Sequence, residues 1–142
     1  MGGQSWIFWS LLSALFAGAT AVLAKVGVAG VDSNLATAIR TTVILLFAWG
    51  VALATARPAA LGALAARTWI FLILSGLATG LSWLCYFRAL QLGQASQVAP
   101  IDKLSVVFVL LFAALFLNEP LTLKSGLGTL LVVAGAIVLA WK

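Results

Sequence analysis

The apolar residues of this chain form long continuous runs and do not alternate with polar residues at strand or amphipathic-helix spacing. Five runs can be traced, at residues 6–31, 34–54, 68–92, 95–118 and 121–141. Turn-forming sequences such as VDSN, LGQAS and NEPL separate them. A helix needs ~20 apolar residues to cross the hydrocarbon core of a bilayer. The pattern therefore predicts a single all-α domain over residues 1–142, a membrane bundle of five transmembrane helices.

The composition excludes a soluble globular protein. Of the 142 residues, 64% are hydrophobic and only 8% are charged, and the mean hydropathy is +1.20. A soluble helical bundle needs helices with polar outer faces, and none is present. We expect a multi-pass membrane protein.

The residue inventory argues against catalysis. The chain has no His and a single cysteine, Cys85, so neither an internal disulfide nor a nucleophile–His pair can form. No metal-ligand cluster or phosphate-binding loop can be recognised. We expect no enzyme activity, no metal and no cofactor. The net charge of +5 does not indicate nucleic acid, because most basic residues lie at or inside the predicted membrane.

Four charged residues lie inside predicted spans, in the halves that face the same side: Lys25, Arg40, Asp102 and Lys103. At 1.5 Å per residue they are roughly 8–12 Å deep. A charge at the bilayer centre costs roughly 2.5–3.5 kcal/mol. Long basic side chains can snorkel to the interface, but the side chain of Asp102 is too short. These charges therefore predict a polar cavity or mutual pairing.

Asp102 and Lys103 are adjacent, so on a helix they point about 100° apart. We expect them to serve different contacts, with Asp102 paired to Arg40 or Lys25. Pro100 lies just ahead and removes a backbone donor, which would loosen the start of the fourth helix.

Trp83 and Tyr86 are the candidate aromatic residues of a binding site. The other five tryptophans lie toward helix ends, as interfacial belts do, whereas Trp83 is about nine residues inside the third predicted helix. Trp83 and Tyr86 could line a ligand site through ring faces and a hydroxyl. The alternative is aromatic packing against lipid or the core.

Gly128 and Gly135 are seven residues apart, hence on one face of the last helix. Small residues let a second helix approach closely, which predicts a dimer contact. Ordinary packing within the chain is the alternative.

The positive charges give a contradictory orientation. Counted in loops alone, they favour the N-terminal side as cytoplasmic by three to one: Arg57, Arg67 and Lys124 against Lys142. The deep cations and Arg88 reverse the count, five to three. A chain that inserts both ways would show this pattern, and buried functional charges would produce it equally.

Residues 86–140, YFRALQLGQASQVAPIDKLSVVFVLLFAALFLNEPLTLKSGLGTLLVVAGAIVLA, resemble the EamA-type members of the drug/metabolite transporter superfamily. The segment NLATAIRTTVILL resembles the second helix of that family, with Arg40 in the expected place. The resemblance implies one five-helix repeat, half of an inverted-repeat transporter, in the cell membrane of a bacterium (the inner membrane). Most members carry two repeats. The charged PIDKLS passage departs from the uncharged one in many members.

The resemblance implies a transporter, an exporter or exchanger, of a small metabolite or drug-like solute. One repeat would act as a homodimer, antiparallel in the bilayer, by alternating access. The expected substrate-binding residues are Lys25, Arg40, Trp83, Tyr86, Asp102 and Lys103. The excess of cations favours an anionic or zwitterionic substrate group, such as a carboxylate on Arg40 or Lys25. Asp102 could carry a coupling proton. The alternatives are a non-transporting membrane subunit and half of a heterodimeric transporter.

Overall fold

The computed structural model describes residues 5–55, 62 and 64–141. These residues form helices and connecting turns, with no strand among them. The helices are α1 Ser5–Gly27, α2 Ser33–Thr55, α3 Ala66–Leu92, α4 Ala95–Asp102, α5 Ser105–Phe116 and α6 Leu123–Ala140. Helices α4 and α5 together form one span, Ala95–Phe116, so the described chain has five segments long and apolar enough to cross a membrane. The predicted all-helical, five-span fold is confirmed.

The first helix ends earlier than its apolar run. The run continues to residue 31, but α1 stops at Gly27, and Gly30 adopts a left-handed φ of 74° in the following turn. Asp32 then caps α2, because its Oδ1 accepts the backbone N–H groups of Asn34 at 2.9 Å and Leu35 at 3.0 Å. Lys25 consequently lies in the last turn of α1, nearer the helix end than the hydrophobic pattern predicts.

The fourth span is interrupted, where the sequence predicts one continuous helix. Pro100 lies inside α4 and cannot donate a backbone hydrogen bond. Two backbone N–H groups then donate to carbonyls three residues earlier: Lys103 N to Pro100 O at 3.1 Å and Leu104 N to Ile101 O at 2.9 Å. These bonds tighten the backbone into a 3₁₀ turn between α4 and α5. The predicted fourth span is present as Ala95–Phe116, and the 3₁₀ turn lies just after Pro100, where the sequence predicts a loosened helix.

The chain divides into two compact units, one of residues 1–26 with 92–142 and one of residues 27–91. In the first unit, α4 and α5 pack against α6. Its buried apolar residues are all alanines: Ala21, Ala24, Ala113 and Ala136. Small side chains allow helices to approach closely where no water is present to drive association.

The second unit contains α2 and α3. Its buried residues are Val28, Ser33, Thr37, Phe87 and Leu90. The buried hydroxyl of Thr37 donates to the carbonyl of Ser33 at 2.8 Å, so this polar group is satisfied within its own helix.

Large apolar side chains are mostly exposed along the helices. Leu123 is 81% exposed, Trp141 79% and Phe116 76%. Such faces suit a hydrocarbon solvent, and every helical backbone group can be satisfied within its own helix. The chain is therefore built to span a bilayer.

Candidate functional site

The second unit holds a cation between aromatic rings. The guanidinium carbon of Arg40 lies 4.6 Å from the ring centroid of Trp83 and 5.3 Å from that of Phe87. Tyr86 directly precedes Phe87 on α3 and is the third aromatic residue of this stretch. We name Arg40, Trp83, Tyr86 and Phe87 the Arg40 clamp. Three of its members, Arg40, Trp83 and Tyr86, are residues that the sequence predicts as substrate-binding.

Helical spacing explains why α3 presents these rings together. Trp83 and Phe87 are four residues apart, and Leu90 follows three residues later on the same face. Phe87 is 2% exposed and Leu90 is fully buried, so this face is the packed one. Gly80 precedes Trp83 by three residues and leaves open space, since a Cβ there would meet nothing within 4 Å. The face therefore passes from a packed end at Leu90 to an open end at Gly80.

The guanidinium of Arg40 does not extend toward the membrane surface. Arg40 is seven residues after the first residue of α2, Ser33, which corresponds to about 10 Å of helix. Trp83 lies one turn farther from the end of α3 than Phe87 does, yet the guanidinium is nearer to Trp83. A side chain that snorkelled to the membrane surface would place its guanidinium beyond Phe87, the ring nearer the helix end. Cation–π contact holds Arg40 inside the span.

The charge of Arg40 has no acidic partner in its unit. Asp32 is the single Asp or Glu among residues 27–91, and its carboxylate caps the start of α2. Two other cations of the unit have local partners: Arg67 lies 5.7 Å from the ring of Phe71, and Arg88 donates to Gln91 Oε1 at 3.0 Å. Arg40 is thus a cation within a span with aromatic neighbours and no carboxylate of its own unit.

Lys25 belongs to the first unit, where its ammonium donates to the carbonyl of Gly93 at 2.7 Å. Gly93 follows directly after α3, where the last carbonyls of a helix lack helical donors. A lysine in the last turn of α1 can therefore satisfy backbone that no water reaches in a bilayer. This contact gives Lys25 a structural role beside its predicted role in binding.

Asp102 and Lys103 contact each other, which corrects the expectation that they serve separate contacts. Lys103 Nζ lies 3.3 Å from Asp102 Oδ2, and the side chains are 61% and 38% exposed, respectively. The 100° separation holds for an ideal helix, whereas α4 ends at Asp102 and the backbone enters the 3₁₀ turn. The flexible lysine stem can reach back across this break. The pair is thus a local ion pair at the interruption of the fourth span.

The glycines predicted for a dimer contact lie on an open face of α6. A Cβ added at Gly128 or Gly135 would meet no atom within 4 Å. The same holds for Gly76 and Gly80 of α3. Packing within the described chain therefore does not account for these glycines.

A model of the EamA-like transporter family matches residues 4–141, nearly the whole chain. The chain belongs to the EamA-like transporter family. A Sinorhizobium sp protein named "Uncharacterized transporter in cobO 3'region" is 56% identical over 137 residues, which cover 96% of this chain and 97% of that relative. A second relative, from Enterobacter sp. (strain 638), is named "Probable 4-amino-4-deoxy-L-arabinose-phosphoundecaprenol flippase subunit ArnE". It is 34% identical over 73 residues, 51% of this chain and 68% of the relative. No solved structure matches.

Family membership confirms the resemblance found in the sequence and makes this EamA-like protein a multi-pass membrane transporter of the cell membrane, with bacterial relatives. Two residues of the second unit were missed as functional candidates. Phe87 was recognisable from its spacing of four from Trp83. The other is Gln91, whose side chain joins the last turn of α3 to the turn after α1. The sequence shows only that it is an amide near a helix end.

Proposed function

We propose that this EamA-like protein moves a small metabolite or drug-like solute across the membrane, as an exporter or exchanger. Residues 1–142 act as one transport domain, and two such domains form the working transporter by alternating access. The observation that carries the proposal is the interruption of the fourth span at Asp102 and Lys103. Ionisable residues inside a span are costly and typical of substrate or ion pathways.

The broken span also suits a moving part. Transporters of the inverted-repeat type bind substrates beside discontinuous helices near the midplane. A mid-helix 3₁₀ stretch often marks a functional hinge. Four i→i−3 bonds run through the junction of α4 and α5, between residues 100 and 107, so a small change in winding at residues 103–104 would alter the direction of α5. This supports alternating access with the hinge at the ion pair.

The open face of α6 supports a dimer. Gly128 and Gly135 have room for a close neighbour that the described residues of the chain do not supply. The Sinorhizobium relative, which this chain covers over 97% of its length, is named as a transporter. We propose an antiparallel homodimer, in which a two-fold axis in the membrane plane creates the inverted repeat.

A heteromer is the second candidate, because the Enterobacter relative is named as a flippase subunit. In that arrangement the open α6 face would contact a different five-helix chain. A non-transporting subunit would use the same face but would need no charged pair inside a span.

The proposed substrate site combines polar and aromatic residues: Lys25, Arg40, Asp102 and Lys103 with Trp83 and Tyr86. The contact of Arg40 with Trp83 supports the aromatic part of this site. The exposed ion pair supports a second polar group at the hinge.

Reconstitution of the purified protein tests the proposal. A thermal-shift screen of metabolites selects a ligand, whose uptake is then measured in liposomes containing the wild-type protein, Asp102→Asn or Glu119→Gln. Asn keeps the shape of Asp102 but removes its charge, so we expect uptake to fall about tenfold, equivalent to 1.4 kcal/mol. Glu119 lies in the exposed loop after α5, and its variant should transport normally.

The outcomes separate the three readings. Uptake by the protein alone supports the homodimer, and uptake that requires a co-reconstituted related chain supports the heteromer. If binding occurs but neither preparation transports, the chain is a non-transporting subunit. Equal uptake by Asp102→Asn and the wild type removes Asp102 from the mechanism.

A further inference from the structure

We infer that the Arg40 clamp binds an oxyanion, a carboxylate or phosphate group that meets the edge of the Arg40 guanidinium between Trp83 and Phe87. The inference deepens the proposed transport function. It rests on that function only for the ligand being a substrate, since binding can be measured without transport.

The first support is a charge that its own unit leaves uncompensated. A cation within the hydrocarbon region costs roughly 2.5–3.5 kcal/mol near the centre, whereas cation–π contact returns roughly 0.5–2 kcal/mol. Asp32, the single acid among residues 27–91, already accepts two backbone N–H groups at the start of α2. An anion brought by a ligand would supply the missing compensation.

The second support is the unused hydrogen-bonding capacity of the guanidinium. Arginine carries five N–H donors in a planar fork that matches carboxylate and phosphate oxygens. The guanidinium of Arg40 contacts the ring faces of Trp83 and Phe87. No hydrogen bond joins its guanidinium to any described residue of its unit. The side chain is only half-buried, so these donors can be reached.

The third support is that the hydroxyl groups next to Arg40 on α2 are already satisfied by the backbone of their own helix. Thr37 and Thr41 lie beside Arg40 on α2, but their hydroxyls donate to carbonyls four residues earlier, each at 2.8 Å. Their bonds are satisfied within the helix. A hydroxyl oxygen also offers a weaker acceptor than a charged oxyanion.

The aromatic walls limit what carries the oxyanion. A ligand group that enters beside Trp83 must leave water and meet ring faces, so an apolar or flat portion next to the carboxylate or phosphate fits best. Such a group can belong to a soluble metabolite or to the headgroup of a lipid. Both present the same chemistry to Arg40.

Thermal unfolding in a non-ionic maltoside detergent tests the inference, because that detergent contains no phosphate or carboxylate. The probes are sodium benzoate, inorganic phosphate and dioleoyl phosphatidic acid, at constant ionic strength, with dioleoylglycerol as the uncharged lipid control. The proteins are the wild type, Arg40→Gln, Arg40→Lys and Arg67→Gln. Arg67 is the matched control, since it also lies over a phenyl ring in the same unit.

We expect at least one probe to raise the unfolding temperature of the wild type and of Arg67→Gln in a saturable manner. Its affinity should fall tenfold or more in Arg40→Gln, as loss of a charged hydrogen bond implies. Stabilisation by benzoate or phosphate identifies a soluble ligand, and stabilisation by phosphatidic acid alone identifies a lipid ligand.

Two results would overturn the inference: no probe stabilises the wild type, or stabilisation persists undiminished in Arg40→Gln. If Arg40→Gln does not fold, Arg40→Lys decides, because it keeps the charge but lacks the fork and should bind at least several-fold more weakly. Transport without oxyanion binding would remove this inference and leave the proposed function. Oxyanion binding without transport would support this inference and contradict the proposed transport function.

Discussion

Replacing Gln91 with methionine should destabilise the protein. The Gln91 amide donates to the carbonyl of Val31 in the turn after α1 and approaches that of Val28 at 3.5 Å. Its Oε1 accepts from Arg88 at 3.0 Å. One side chain thus ties the last turn of α3 to the turn before α2, and α3 is the helix that carries Trp83 and Phe87 of the Arg40 clamp. Methionine preserves the length and volume of glutamine but removes both functions.

The expected loss is about 1–2 kcal/mol in the free energy of unfolding. Hydrogen bonds inside membrane proteins contribute on average ~0.6 kcal/mol and at most ~1.7. A partly buried carbonyl left without a donor adds a cost of ~1–3 kcal/mol, reduced where water or headgroups reach it. Arg88 is exposed, so losing its acceptor should contribute little.

Gln97→Met is the matched control, because Gln97 is equally half-buried but reaches the carbonyl of Ala140 only at 3.5 Å. A contact this long is weak, and its removal should cost less than ~0.5 kcal/mol. The assay is reversible unfolding by SDS in mixed micelles, followed by far-ultraviolet circular dichroism. If the two variants lose the same stability, the Gln91 contacts do not hold the end of α3 and the reasoning fails.

Two further predictions concern assembly. Gly128→Leu with Gly135→Leu should weaken self-association by at least tenfold while leaving monomer stability nearly unchanged, because no atom of residues 5–55, 62 and 64–141 occupies that space. Gly126→Leu, on the opposite face of α6, is the control. Cross-linking that shows an unchanged dimer would exclude this face. If the homodimer is antiparallel, an impermeant thiol reagent should label about half of a single cysteine in the 57–67 link in intact cells, with the native cysteine replaced, and the other half only in lysed cells. Labelling from one side only would exclude dual insertion.

Sequence alone was sufficient for the spans, since runs of apolar residues and turn signals locate membrane helices directly. It also identified Arg40 and Trp83, because each departs from the rule for its residue type: a cation inside a span and a tryptophan away from a helix end. Their direct contact, 4.6 Å from guanidinium to ring, follows from the rotation of α2 and α3 about their axes. Hydropathy carries no information about that rotation.

The interruption at residues 103–104 could be anticipated only in part. Pro100 indicated a weakened helix, but the apolar pattern continues without change through SVVFVLLF. Whether a proline leaves a kink, a 3₁₀ turn or a straight helix depends on the surrounding packing. The pairing of Asp102 with Lys103 depends on the same local winding of the backbone, so ideal helical angles did not predict this pair.

The four intramembrane charges have different contacts, and these contacts bear on which of them would hold an anionic ligand. The sequence predicts an anionic ligand because three cations, Lys25, Arg40 and Lys103, outnumber one acid, Asp102. In the structure, Asp102 and Lys103 neutralise one another, and the ammonium of Lys25 donates to the backbone carbonyl of Gly93. Arg40 alone lies against aromatic faces with no acid of its unit to compensate it. The number of charges in the sequence does not distinguish Arg40 from Lys25. In the structure their contacts differ, so a preference for anions should depend far more on Arg40 than on Lys25.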